Sequence, residues 1–244
     1  DGSDVSVSPT LRRRRLARAL LQRRAELGMT VDAVAKEAKR ISPAQSWSGA
    51  KITRLESRKR QKPSQGEITT LLDVYQVTDK AERAAYLKLA AEAGLTGWWT
   101  GYPELFGQGA YVDLETEAAE LLTCEPMLIP GLLQTSEYVR ATTRLVITDD
   151  EASVARRVEA RAMRRQTLER PEPVRLHAII DEAALRKIPA EAAEGQIRHL
   201  VEMQQRDNVT IQVVPDSAGP HAGMHGAFVI MGFAHDPTLV YLEQ

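Results

Sequence analysis

The chain of 244 residues is 43% hydrophobic and 27% charged, with a formal net charge of −1, which is ordinary for a globular protein of one or two domains. It contains no run of about 18 apolar residues, which excludes a membrane-spanning helix and a membrane partner. Cys124 is the only cysteine, which excludes intrachain disulfides and cysteine-cluster zinc sites and favours a cytoplasmic protein.

The near-neutral total conceals two regions of opposite charge. Residues 11–65 contain 16 Lys and Arg against 4 Asp and Glu. Residues 66–244 contain 16 basic residues against 27 acidic ones. A compact basic segment beside an acidic remainder predicts that the basic part faces a polyanion such as nucleic acid.

The basic segment is predicted to be helical. We expect residues 1–9, which are small and polar, to be disordered, and five short helices to occupy residues 10–93. Gly28 is expected to end the first helix in a left-handed turn. Thr30 and Ser48 are expected to cap the N-termini of the second and third helices, Pro63 and Ser64 are expected to introduce the fourth, and the fifth is expected to run from about Asp79 to Ala93.

The third predicted helix combines small residues in its first turn with cations that follow it. Small residues let a helix enter the major groove of DNA, which is about 12 Å wide, so that polar side chains reach base edges. We predict base contacts from one group of residues, Ser48, Gly49, Ala50, Lys51 and Arg54. We predict phosphate contacts from a second group, Thr30, Arg58, Lys59, Arg60 and Lys62. The alternative is a solvated basic face on a structural bundle.

The stretch ELGMTVDAVAKEA…WSGAKITRLESRKRQKPS resembles the λ-repressor-like helix-turn-helix regulators of the Cro/cI or xenobiotic-response-element class. The resemblance implies an all-α five-helix DNA-binding domain over residues 10–93, with the family's second and third helices at 31–38 and 49–55. One recognition helix covers only a half-site, so we expect a homodimer on DNA. Two departures stand out: Val31 replaces the usual Gln, and residues 39–45 look like an insertion that either extends the second helix or forms a basic loop.

The remainder of the chain is predicted to form a second domain. Residues 94–110 are rich in glycine and aromatic residues and are interpreted as a connection, in which Trp98 and Trp99 either pack between domains or bind a ligand. Helices are expected to begin at Thr135 and at Asp149 or Asp150, and strands are expected at Val174–Ile180, Val209–Val214, Ala227–Phe233 and Leu239–Leu242. Residues 111–244 are therefore predicted to form an α/β or α+β domain.

This second part is similar to the C-terminal domain of actinobacterial WhiJ-like, antitoxin-like regulators, through EPMLIPGLLQTSEYVRA, RVEARAMRRQ, IIDEAALR, NVTIQVVP and YLE. The resemblance implies transcriptional regulation, often with a small partner protein encoded nearby. Members of the group usually continue further, so we expect the chain to stop short of the native C-terminus. Effector or partner contacts are predicted for Trp98, Trp99, Tyr138 and His221.

The residues of the second domain suggest three kinds of chemistry. His221 and His225 have a zinc-like spacing, but the glycines and Pro220 around them indicate a loop, so no metal is predicted. A LexA-type autoprotease needs a nucleophilic serine and a desolvated lysine, and Lys187 is the only lysine beyond residue 88. The adjacent acids 181–182 sit at a strand-to-helix junction, where capping is the better account. We predict no enzyme and no cofactor.

The sequence therefore predicts a two-domain, sequence-specific transcriptional regulator that binds DNA as a homodimer. Its second domain is expected to sense a partner protein or a small molecule. The alternative is an antitoxin-like interaction protein that binds a small partner and uses DNA binding for autoregulation.

Overall fold

The structure, a computed structural model, describes residues 8–57, 62–107, 109–145 and 150–242. The chain divides into two compact units, residues 1–98 and residues 99–244.

Over its described residues, the first unit has helices and turns but no strand; its helices are α1 (Pro9–Glu26), α2 (Val31–Ile41), α3 (Gly49–Glu56), α4 (Gln65–Val74) and α5 (Lys80–Ala93). Each helix begins after a side chain that accepts a backbone N–H of the first turn, in order Ser8, Thr30, Ser48, Ser64 and Asp79. Such a side chain satisfies an N–H group that has no partner inside the helix. The predicted caps Thr30 and Ser48 are confirmed, the fourth and fifth helices begin where expected, and Gly28 has the expected left-handed φ of +61°.

The core of the first unit forms where α1, α2, α3 and α4 meet. Its most buried side chains include Leu20, Val34, Ile52, Leu71 and the ring of Tyr75. Burial of each such side chain stabilises the fold by about 1.5–3 kcal/mol.

The sequence pattern of α5 suggests Ala81, Ala85, Leu87 and Leu89 as core positions, and the structure bears this out in part. Leu87 and Leu89 are partly buried against the core. Ala81 and Ala85 are exposed, and Ala90 and Ala93 are buried instead. Alanine suits either face of a helix, so an alanine-rich pattern does not determine which face is buried.

The second unit combines helices with one sheet. Its helices are α6 (Pro103–Phe106), α7 (Ala110–Glu117), α8 (Ser136–Arg144), α9 (Glu151–Arg165), α10 (Glu182–Arg186) and α11 (Ala190–Gln204). Its strands are β1 (Glu120–Glu125), β2 (Arg175–Asp181), β3 (Val209–Val214), β4 (Phe228–Gly232) and β5 (Leu239–Leu242). Part of the predicted connection is therefore folded, since α6 and a short 3-10 turn at Trp98–Gly101 lie within it.

The sheet has the strand order β3-β2-β1-β4-β5. The first three strands in sequence are parallel, and β4 and β5 run antiparallel to their neighbours. Thr123 lies opposite Ala178 on one side and Val229 on the other, which sets the register. Side chains alternate along each strand, so these three residues share one face, termed the inner face, with Leu121 and Glu125.

The opposite, outer face carries half-buried or exposed apolar side chains from four strands, Leu122, Ile179, Ile230, Val240 and Leu242. Four of the five strands were predicted, and the central strand β1 was not. Thr123 and Cys124 are adjacent in β1 and both are buried, so this strand lacks the alternation by which a half-buried strand is recognised.

The fold class is confirmed: a helical unit precedes an α+β domain built on a five-stranded mixed sheet. Among the described helices, none is both long enough and apolar enough to cross a membrane.

Candidate nucleic-acid interface

Helix α3 packs one side against the core of the first unit and presents the other at the surface. Ile52 and Leu55 are buried. The outward residues, termed the α3 face, are Ser48, Ala50, Thr53 and Arg54, all exposed. Positions 50, 53 and 54 follow the three- and four-residue spacing that places side chains on one side of a helix. The α3 face can therefore be presented to a ligand as a unit.

A buried hydrogen-bond network holds the C-terminal end of α3. The carboxylate of Glu56 accepts hydrogen bonds from Arg24 Nε at 2.8 Å and from the Tyr75 hydroxyl at 3.0 Å. Arg24 also donates to the carbonyl oxygen of Met29 at 2.8 Å. The hydrogen bond with Glu56 raises the pKa of Arg24, while burial and then the charge of Glu56 raise the pKa of Tyr75. These contacts tie α3 to α1 and to the end of α4.

Lys51, which was predicted to contact bases, is held inside the domain. Its side chain is 9% exposed, and its Nζ lies 2.8 Å from Glu67 Oε1. The same ammonium donates to the carbonyl oxygen of Ser46 at 2.8 Å and lies 4.5 Å from the centre of the Trp47 ring. A base contact would break this pair and leave Glu67 buried without its cation. The structure therefore argues against Lys51 as a base contact.

The structure between α2 and α3 decides between an extended helix and a basic loop for the apparent insertion at residues 39–45. Helix α2 continues to Ile41, three residues past its predicted end, so the first part of the insertion extends the helix. A Cβ on Gly49 would lie 2.5 Å from Oδ1 of Asp32. The first turn of α3 thus lies directly against the first turn of α2, and the absence of a side chain at Gly49 permits this approach.

The predicted phosphate contacts are placed in part. Thr30 is exposed at the start of α2, where it caps the N–H of Ala33 at 3.2 Å, and Lys62 is exposed. Arg58, Lys59 and Arg60 lie outside the described residues. The structure adds Lys36, exposed on α2, and it adds Thr53 to the α3 face. The spacing of residue 53 from Ala50 could have identified Thr53 from sequence.

None of the predicted effector residues lines the cavity of about 250 Å³ that lies on the inner face of the sheet. Trp99 is buried, with its ring so close to Gly109 that a Cβ there would lie 1.7 Å from Cδ1. Tyr138 is buried, and its hydroxyl accepts the N–H of Ile129 at 3.2 Å. Both side chains therefore have structural roles, which argues against direct effector contact. Trp98 is half-buried.

His221 belongs to a capping arrangement. Its Nε2 lies 3.0 Å from Oδ2 of Asp181, while Oδ1 of Asp181 accepts the N–H of Ala183 at 2.7 Å and caps α10. The backbone hydrogen bond, and then the contact with His221, lower the pKa of Asp181. This confirms the capping interpretation of Asp181.

The geometry of the described residues does not favour a Ser–Lys protease or a metal site in the second unit. Lys187 is exposed, with Nζ 3.8 Å from the sulfur of Met127, and is not the desolvated base of a Ser–Lys protease. In the described parts of the chain, no cluster of three or more His, Cys, Asp or Glu side chains could hold a metal ion.

Two family models match the chain. The model described as Helix-turn-helix domain matches residues 10–86, and the model described as Domain of unknown function (DUF5753) matches residues 108–244. No curated protein and no solved structure matches the chain. A helix-turn-helix domain is typical of DNA-binding regulators. The DUF5753 model matches more than half of the chain, so the chain belongs to the DUF5753 family. A helix-turn-helix domain precedes the DUF5753 domain.

Proposed function

We propose that this chain is a cytoplasmic, sequence-specific transcriptional regulator of the λ-repressor-like class that binds operator DNA as a homodimer. The observation that carries the proposal is the α3 face, which stands on the third helix of a matched helix-turn-helix domain. Ser48 and Ala50 are small enough to let the helix enter the groove, and Thr53 and Arg54 project from the same side. An arginine at such a position pairs with O6 and N7 of guanine through two hydrogen bonds.

Phosphate contacts surround this face in the proposed complex. The N-terminus of α2, capped by Thr30, offers backbone N–H groups and a positive dipole end to a phosphate. Lys36 and Lys62 supply exposed cations, and Arg58, Lys59 and Arg60 add charge that follows α3 in sequence. Each neutralised phosphate releases counterions, so affinity should fall steeply with salt concentration.

The experiment that tests the proposal is selection of binding sites from a random duplex library by the full chain. Arg54→Ala should weaken binding to the selected site by about 10–100-fold, the loss of one base contact, while binding to unrelated duplex changes little. Lys88→Ala removes an exposed cation from α5 and is the matched control, expected to leave the selected-site preference intact. Failure to enrich any sequence, or an unchanged preference in Arg54→Ala, would contradict the proposal.

A second candidate function, binding of a small protein encoded beside this chain, is favoured by the outer face of the sheet. Exposed apolar side chains such as Val240 and Leu242 are typical of surfaces that another protein covers. Co-expression with the neighbouring gene product tests it. Stoichiometric co-purification that is lost in Val240→Lys supports the interaction, and separate elution of the two proteins contradicts it.

A further inference from the structure

The second unit contains a cavity of about 250 Å³ between the inner face of the sheet and helices α7 and α9. Leu121, Thr123 and Glu125 of β1 form one wall, and Val229 of β4 continues it. Since a water molecule occupies about 30 Å³ of liquid, the cavity admits a ligand of on the order of ten non-hydrogen atoms.

The cavity reaches the edge of the sheet at which β1 ends and β4, which is antiparallel to it, begins. Glu125, the last residue of β1, and Phe228, the first residue of β4, both line the cavity.

One charged pair forms a fixed wall of the cavity. Arg164 donates from Nε and Nη2 to the two carboxylate oxygens of Glu115, at 2.8 and 2.7 Å, and both side chains are buried. The guanidinium lies 5.3 Å from the centre of the Tyr111 ring, which packs 4.6 Å from the ring of Tyr241. Burial raises the pKa of Tyr111 above its usual value of 10.0.

A second acid and a second arginine line the same cavity, Glu125 and Arg161. A Cβ on Gly131 would lie 2.6 Å from Nη1 of Arg161, so the bare backbone at this glycine lets the guanidinium approach the loop. Apolar side chains, including those of Phe106 and Leu128, complete the lining. The cavity therefore presents two acids, two arginines and apolar surface within a small volume.

This composition restricts the class of ligand. A ligand of a single charge would complement the lining groups of one sign only and would lie close to groups of its own sign. A purely apolar ligand would displace water from the charged lining groups. A ligand that carries both charges and an apolar part complements both signs and the apolar surface.

We propose that the cavity binds a small zwitterion of the free amino-acid class, with its carboxylate toward Arg161, its ammonium toward Glu125 and its apolar side chain against Phe106 and Leu128. The Glu115–Arg164 pair and Tyr111 form the fixed side of the site. The regulatory meaning of the site, in which occupancy controls DNA binding, rests on the proposed function, whereas the binding itself does not.

The test is calorimetric titration of the full chain, without DNA, with each of the common L-amino acids. We expect at least one apolar amino acid to bind. If leucine is the ligand, 4-methylpentanoate, which lacks the ammonium, and isoamylamine, which lacks the carboxylate, should each bind about tenfold more weakly or worse. If another amino acid binds, its own analogues that lack the ammonium or the carboxylate are titrated in the same way. Absence of binding by every amino acid, or equal binding by a single-charge analogue, would overturn the proposal.

Two variants test which lining residue binds which charge of the ligand. Arg161→Gln should weaken the amino acid about tenfold and leave its amine analogue unchanged, and Glu125→Gln should weaken the amino acid and leave its carboxylate analogue unchanged. Arg165→Gln, on the same helix but outside the lining, is the control and should bind as the parent chain does. Circular dichroism verifies that each variant is folded. If an amino acid binds but no DNA sequence is enriched, the proposed function is contradicted and this site is not. If a DNA sequence is enriched but no amino acid binds, this site is contradicted and the proposed function is not.

Discussion

Replacement of Lys51 by methionine separates a structural role for this residue from a role in reading DNA. The substitution keeps the length of the side chain but removes the ammonium that pairs with Glu67, whose side chain is 6% exposed. Loss of one partner of a buried ion pair costs about 3–5 kcal/mol. Glu67 keeps its hydrogen bond to the N–H of Ser64 at 2.9 Å, so we expect the lower end, about 3 kcal/mol.

Hydrogen-exchange mass spectrometry of the full chain measures this loss locally. A loss of about 3 kcal/mol in local stability corresponds to on the order of 100-fold faster exchange in peptides of α3 and α4. The double variant Lys51→Met, Glu67→Met should recover most of the protection because no buried charge remains without a partner. Folded Lys51→Met should retain its preference among DNA sequences. Unchanged exchange together with a lost preference would refute the reasoning and restore Lys51 as a base contact.

Two further predictions concern stability. Tyr75 donates to the Glu56 carboxylate and its pKa is raised above the usual 10.0, so its contribution is present below about pH 10 and is lost as pH rises beyond it. Tyr75→Phe should therefore cost about 2 kcal/mol at neutral pH and reduce the loss of stability above about pH 10, as urea titrations across that range would show; an unchanged pH slope would contradict this. Gly109→Ala should destabilise the second unit by more than about 2 kcal/mol, because φ is +66° and the new Cβ would overlap the Trp99 ring. Gly28→Ala, at φ +61° with nothing within 4 Å, should cost only about 1–2 kcal/mol in the first unit, and equal losses in urea unfolding would show that the Trp99 contact is unimportant.

Features with a local cause were predictable from the sequence. The caps at Thr30 and Ser48 each depend on one side chain and the N–H groups that follow it. Strand β5 depends on a short β-branched and aromatic run between turn residues, and its bounds match the prediction. The positions of Ser48, Ala50 and Arg54 on the α3 face follow from helical spacing alone.

Features that depend on distant partners were not predictable in this way. The burial of Lys51 requires Glu67 from α4 and Trp47 from the preceding turn, neither of which its own helix specifies. The Glu115–Arg164 pair joins residues 49 positions apart. The cavity arises because α7 and α9 pack against the sheet, and the spacing of residues along the chain does not predict this packing.

The most direct test of the central claim is a thermodynamic cycle between Arg54 and a guanine of the selected site. Each guanine is replaced in turn by 7-deazaguanine, which lacks the N7 acceptor that a major-groove arginine uses. If Arg54 reads that guanine, one such replacement per half-site weakens binding by the parent chain about tenfold and does not weaken binding by Arg54→Ala any further. Equal additional weakening of both proteins at every guanine, or no weakening of either, would contradict the claim that the α3 face reads the DNA sequence.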